Sequence, residues 1–242
     1  MQKPKVILPS EDIGFHNQDL DSSRKRLIKS KAYADLSTII ICPTRGVIPA
    51  RVTSSMVSLG KPMNQKVIGP IFIEKMEVGE AYEHAISLIL NNPDLSKFKY
   101  ILTIEEDNLP PADGLIKLLE TISQGDYDGV GGLYWTKGEG GMPMIYGNPK
   151  EFPLSFKPIL PIPDSIQACN GIAMGFSIFK MEMFTSGKIE RPFFKTCNDY
   201  AAGKIYTQDL YFCEKALKAG YRFAVDTRVK VGHFDYENDI VW

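Results

Sequence analysis

The sequence predicts an α/β fold, a Rossmann-like mixed but mostly parallel sheet flanked by helices in one domain. Two observations carry this. Short apolar runs such as Thr38-Ile39-Ile40-Ile41-Cys42 and Tyr100-Ile101-Leu102-Thr103-Ile104 read as buried strands. Between such runs lie segments whose apolar residues recur at helical spacing, so that strand, helix and strand alternate as in a βαβ sheet. With 242 residues the chain is long enough to bury a substantial core as a single unit. Residues 1–36 are expected to form a polar extension and residues 37–242 the domain.

The elements follow in order. From Pro9 to Asp35 the chain is polar and mixed in charge, and its basic run Arg24-Lys25-Arg26 reads as a solvated helix face. The first strand, from Thr38, is stopped by Pro43. Arg51 to Leu59 reads as a helix and Lys66 to Ile73 as the next strand. Val78, Ala81, Tyr82, Ala85, Leu88 and Ile89 mark an amphipathic helix from Glu77 to Asn91, ended by Asn92-Pro93. The strand Tyr100 to Ile104 then runs into Glu105-Glu106-Asp107-Asn108. Asp113 is placed to cap a helix carrying Leu115, Ile116, Leu118, Leu119 and Ile122. Asp128 to Trp135 reads as a strand, and Gly138-Glu139-Gly140-Gly141 after it as a mobile loop. Pro149, Pro153, Pro158, Pro161 and Pro163 predict irregular chain over residues 147–164. A strand from Ile172 to Lys180, a helix from Gln208 to Ala219 ended by Gly220, and strands through Phe223 to Val231 complete the domain.

With 28 basic and 29 acidic residues and a formal net charge of -1, the chain has no global field to attract nucleic acid or an acidic membrane. Cys42, Cys169, Cys197 and Cys213 form no CxxC pair and sit in apolar surroundings, which suits buried thiols in a reducing cytoplasm. The opening residues lack the apolar stretch of a signal peptide, and no segment approaches the roughly 18 apolar residues of a membrane span. The expectation is a soluble, cytoplasmic protein.

The acids at 105–107 are the first candidate site. Like charges this close repel unless a cation or hydrogen-bond donors intervene, and in open α/β sheets ligands bind beyond the carboxyl ends of the strands. A solvated turn capping the next helix is the plainer alternative. Asp209 falls in the first turn of its helix, where the unpaired N–H groups favour a carboxylate and are expected to lower its pKa. Tyr134, Trp135 and Lys137 lead into the glycine-rich loop and are placed to close over a ligand, although Trp135 also suits the core. His84, in an amphipathic helix, and His16, in a polar segment, read as structural.

Several segments resemble family 2 glycosyltransferases with the GT-A fold. Ile39-Ile40-Ile41-Cys42-Pro43-Thr44-Arg45-Gly46 resembles that family's opening strand, and Tyr100 to Asn108 the strand leading to its DxD-like acidic motif. Asn170-Gly171-Ile172-Ala173-Met174-Gly175-Phe176-Ser177 resembles the strand beside the acceptor site. Thr207-Gln208-Asp209-Leu210-Tyr211-Phe212-Cys213 resembles the acidic-pair segment, and Val225-Asp226-Thr227 through Val231-Gly232-His233 the late strand with a metal-binding histidine. The order of these pieces, over roughly residues 38–235, is more specific than any one of them. Two departures stand out: the family usually has aspartate where Glu105 and Glu106 stand, and Glu-Asp where Gln208-Asp209 stands.

The resemblance implies a metal-dependent transferase that moves a sugar from a nucleotide-diphosphate sugar to an acceptor hydroxyl, with inversion. Residues 37–135 would form the nucleotide-binding half and residues 165–242 the acceptor and catalytic half. Asp107 and His233 would be metal ligands, for Mn²⁺ or Mg²⁺, with the imidazole favouring the softer ion. Pro43, Thr44, Arg45, Glu105, Glu106 and Trp135 would contact the donor, and Asp209 would be the base. The acceptor stays open among glycan, metabolite, protein and modified nucleic-acid base. Two other readings compete. A nucleotidyltransferase would carry a glycine-rich phosphate loop where Pro43-Thr44-Arg45-Gly46 stands. A non-catalytic sugar-nucleotide-binding module would keep the fold without the chemistry, whereas Asp107 and Asp209 are both retained.

Overall fold

The computed structural model describes residues 5–7, 25, 28–29, 33–199 and 204–242. His16, Arg24 and Arg26 lie outside the described residues; Lys25 is exposed.

The chain opens with strands β1 (Lys5–Ile7) and β2 (Thr38–Thr44), helix α1 (Ala50–Val57), strand β3 (Val67–Glu74) and helix α2 (Val78–Asn91). Strands β4 (Tyr100–Ile104) and β5 (Asn108–Leu109), helix α3 (Gly114–Ser123) and strand β6 (Gly129–Leu133) follow. Next come β7 (Ile145–Tyr146), β8 (Ile166–Cys169), β9 (Gly171–Ile172), β10 (Phe176–Lys180), α4 (Glu182–Thr185), β11 (Cys197–Asp199) and β12 (Lys204–Tyr206). Helix α5 (Gln208–Lys218) and strands β13 (Phe223–Lys230), β14 (Gly232–Asp235) and β15 (Ile240–Val241) end it.

Among the described residues the central sheet has 8 strands in the order β1-β3-β2-β4-β10-β6-β13-β8. Its pairings make β3, β2, β4, β6 and β13 run one way and β1, β10 and β8 the other. The sheet is therefore mixed with most strands codirectional, as the sequence predicts.

Alternation along each strand divides the core into two layers. Ile39 and Ile41 of β2, Ile101 of β4 and Phe179 of β10 join α2, α4 and α5 on one face. Ile40, Leu102, Ile104 and Ile178 point the other way, into the layer holding Leu115, Leu118, Leu119 and Ile122 of α3. The apolar spacing read from the sequence is this packing: Tyr82, Ala85 and Ile89 of α2 are all within 1% of full burial.

The differences have local causes. Lys5–Ile7 joins the sheet edge antiparallel to β3, so the polar N-terminal extension contains a strand too short for its pattern to be read. The single strand expected from Ile172 to Lys180 is two, because the Gly175 amide donates to the Tyr134 hydroxyl at 2.8 Å instead of to a neighbouring strand. Asp113 stands at the N-cap of α3, yet its carboxylate makes no cap bond and lies 2.7 Å from Lys117 Nζ. Residues 138–141 form a tight hairpin, closed by Thr136 N donating to Met142 O at 2.9 Å and Gly141 N to Gly138 O at 3.1 Å. Cys42, Cys169 and Cys213 are buried free thiols. No helix of the described residues is long and apolar enough to cross a membrane.

Candidate active site

The acids that follow β4 are sent to separate environments. Glu105 has the strand parity of Ile101 and Thr103, so it turns toward α2, where Tyr82 Oη donates to its Oε1 at 3.1 Å. Its own amide donates to Gly175 O at 3.1 Å. Burial first, then the charges of Asp107 and Asp209, push the Glu105 carboxyl up to about 8. Those couplings place Glu105, Asp107 and Asp209 within one electrostatic neighbourhood.

Glu106 turns the other way and is spent on the scaffold. Thr44 Oγ1 donates to its Oε2 at 2.7 Å, Arg45 N donates to the same oxygen at 2.8 Å, and Arg45 Nε pairs with Oε1. This clamp joins the ends of β2 and β4, and Thr44 Oγ1 also accepts from Gly46 N at 3.0 Å. Pro43 sits beside Ile73 in the β2–β3 ladder. The Arg45 side chain is 84% exposed, leaving much of its guanidinium open to a ligand.

Asp107 lies one residue beyond, where β5 begins, and pairing aligns Asn108 with His233 of β14. Phe234 N donates to Asp107 O at 2.7 Å and locks this register. The Asp107 and His233 side chains consequently face each other, with Oδ2 and Nε2 3.4 Å apart. Lys137 Nζ approaches the same Oδ2 at 2.5 Å. Burial acts to raise the Asp107 pKa, but the hydrogen bonds and charges of His233 and Lys137 outweigh it and hold the carboxyl at about 2.

The histidine ring is oriented by its second nitrogen, since Nδ1 lies 2.8 Å from Trp135 O and the ring meets Tyr134 edge-on at 5.6 Å. With Nδ1 donating to that carbonyl, Nε2 faces a carboxylate oxygen, a contact that needs a proton or a cation between them. Trp135 thus serves the site through its backbone carbonyl, while its side chain packs partly buried against the core.

Among the described residues no group of three or more His, Cys, Asp or Glu side chains could hold a metal. Asp107 and His233 form a two-donor set, which fits a divalent ion whose other positions are filled by phosphate oxygens rather than by protein.

Asp209 occupies the first turn of α5 and is only 6% exposed. Its Oδ1 accepts from Leu210 N at 2.9 Å, and Thr207 also bonds its side chain. The expected lowering of its pKa is reversed: burial outweighs these bonds and raises it. A carboxylate so placed is a stronger base than one in water.

Tyr82 and Gly175 complete the corner, and neither was singled out for it by sequence. Tyr82 reads as one more apolar position of α2, and only its hydroxyl's reach to Glu105 separates it from the core. Gly175 has no room for a side chain, because a Cβ would stand 2.4 Å from Tyr134 Oη and 2.5 Å from Asn108 Oδ1. His84 is exposed on α2, away from this set. An apolar cavity of about 280 Å³ lies between α1 and β3, lined among others by Ile40, Met56, Phe72 and Ile104. It is on the sheet face opposite Glu105 and contains none of these carboxylates.

No family model and no curated protein matches the sequence. Among solved structures the chain is similar to A197 from STIV, with a TM-score of 0.58 and 19% identity over 85% of this chain and 92% of that one. Two structures of S. aureus TarS match more loosely. Residues 1-349 of that protein give a TM-score of 0.43 at 13% identity, over 78% of this chain and 57% of that one. The other gives 0.47 at 13%, over 80% of this chain and 36% of that one. The likeness to A197 is one of fold, and the mixed, mostly parallel α/β sheet flanked by helices expected from the sequence is the architecture observed.

Proposed function

We propose that the chain is a metal-dependent glycosyltransferase that moves a sugar from a nucleotide-diphosphate donor to an acceptor hydroxyl, with inversion. The observation that carries this is the convergence of Asp107, His233 and Lys137 at the open end of β4, within electrostatic reach of half-buried Glu105 and buried Asp209.

Asp107 and His233 would hold Mn²⁺ or Mg²⁺ together with the donor's phosphates. Such an ion supplies Lewis-acid neutralisation of the charge that develops on a departing nucleoside diphosphate. The protein's own contribution is positional. Trp135 O fixes the His233 ring, and β5–β14 pairing fixes its distance from Asp107. Arg45, exposed at the end of β2, would contact the nucleotide, and the Thr44–Glu106 clamp sets the loop that carries it. Asp209, raised in basicity by burial, would take the proton of the attacking hydroxyl, and the helix N-terminus would steady the carboxylate between turnovers.

The test is a thermal-shift screen of nucleotide sugars with and without Mn²⁺, because a ligand that binds only the folded state raises the apparent melting temperature. A donor should stabilise the wild-type chain in the presence of Mn²⁺, and Asp107→Asn should remove that response. Asp209→Asn should keep the response and lose transfer by about 100-fold or more. Transfer at the normal rate by Asp209→Asn would eliminate the base assignment, and no stabilisation by any donor would favour a non-catalytic module.

A further inference from the structure

The Asp107 oxygen that faces His233 is already engaged by a lysine. Lys137 Nζ lies 2.5 Å from Asp107 Oδ2, and His233 Nε2 is 3.4 Å from that same atom. A divalent ion at Asp107 and His233 and an ammonium at Oδ2 would compete for one lone-pair region and repel each other. They are alternative occupants of the corner.

The chain around Lys137 is built for an exchange. Thr136 is pinned on both sides of the hairpin, its amide donating to Met142 O at 2.9 Å and its hydroxyl accepting from Met142 N at 2.8 Å. Lys137 is the next residue, followed by glycines at 138 and 140 with φ of 101° and 74°. A Cβ at either glycine would meet nothing within 4 Å, so the turn beyond Lys137 projects into open space. The lysine therefore stands on a fixed stem with a long, rotatable side chain, only 33% exposed while it is held on Asp107.

We propose that Lys137 is a resident counter-cation: it neutralises Asp107 in the donor-free chain and transfers to the donor's diphosphate when a divalent ion takes its place. This rests on the metal-dependent reading above and deepens it by assigning a diphosphate-binding residue. The exchange conserves charge at the corner, since the arriving ion replaces the ammonium and the arriving diphosphate receives it.

The exchange predicts opposite effects on two affinities, which a structural role for Lys137 would not produce. Mn²⁺ binding to the full chain is read from the electron paramagnetic resonance signal of the free ion. Binding of ADP, CDP, GDP and UDP at saturating Mn²⁺ is read by calorimetry. Lys137→Met should bind Mn²⁺ alone at least about tenfold more tightly than wild type, and should bind the preferred nucleoside diphosphate at least about tenfold more weakly. Lys137→Arg, which keeps a cation, should stay near wild type in both, and thermal melts establish that both variants are folded.

If Lys137→Met is folded and leaves both affinities unchanged, or weakens both, the exchange is wrong while the metal-dependent reading stands. If wild type and Lys137→Met both fail to bind Mn²⁺ and every nucleoside diphosphate, that reading falls and the exchange falls with it.

Discussion

Replacing Glu105 by glutamine should make the metal-free protein less sensitive to alkaline pH. The glutamine keeps an oxygen to accept from Tyr82 Oη, which lies 3.1 Å from Glu105 Oε1, and removes only the ability to ionise. The sign follows from proton binding. The folded protein holds a proton on Glu105 up to about pH 8, whereas an unfolded chain releases it near 4.5. Below about 4.5 both states are protonated and the neutral, buried carboxyl contributes its full stability. As pH rises toward 8 the native state binds more protons than the unfolded one, so stability falls.

At about 1.4 kcal/mol for each tenfold change in proton affinity, the rise from 4.5 to about 8 sets an upper bound of about 5 kcal/mol. Partial access of water and adjustment by the neighbouring carboxylates reduce this to about 2–4 kcal/mol. Urea unfolding of wild type and Glu105→Gln in EDTA, at pH 5, 7 and 9, measures the effect. The wild type should lose about 2–4 kcal/mol relative to the variant between pH 5 and 9. Parallel pH profiles for the two proteins would refute the reasoning, because they would mean that the folded chain does not hold a proton on Glu105.

Other changes test the frame around the site. Asp226 is 0% exposed, with Arg228 Nη2 and Thr121 Oγ1 each 2.7 Å from its Oδ2, so Asp226→Ala should cost about 1–3 kcal/mol in urea unfolding by leaving the buried Thr121 hydroxyl without the acceptor it donates to. Those bonds outweigh burial and lower the Asp226 pKa, so its stabilisation should be present above pH 3.8 and fall as acid titrates the folded carboxylate. Gly175→Ala should cost about 1–3 kcal/mol in thermal or urea unfolding, because the new methyl must displace the buried Tyr134 hydroxyl.

The helices of the fold were readable because each covers the sheet with one stripe, and burial of Tyr82, Ala85 and Ile89 is the physical origin of the spacing seen in the sequence. Strands β2 and β4 were readable for the same reason in its two-sided form: Ile39, Ile40 and Ile41 are buried in a row because both sheet faces are covered. What escaped was decided by pairing rather than by pattern. Strand β1 has only 3 residues, and β14 and β15 pair with each other at the C-terminus with little alternation to mark them. Gly175 breaks the Ile172 to Lys180 run through a bond to Tyr134, 41 positions away, which no local signal records.

The same distinction governs the site. Three consecutive acids announce a charged corner, but their sequence cannot say that Glu105 and Glu106 diverge. Strand parity sends Glu105 to Tyr82 and a buried, proton-retaining setting, while Thr44 and the Arg45 amide capture Glu106. Asp209 shows why a local rule can give the wrong sign. Its place in the first turn of α5 was readable, and the helix end does favour its charge, yet the depth at which α5 packs decides the balance and raises its pKa. The pairing of Asn108 with His233 places Asp107 opposite the imidazole, and this register follows from β5 meeting β14 far along the chain. Lys137 reaches the same oxygen from a third element, so the cation already at Asp107 is a property of the assembled fold and of no single motif.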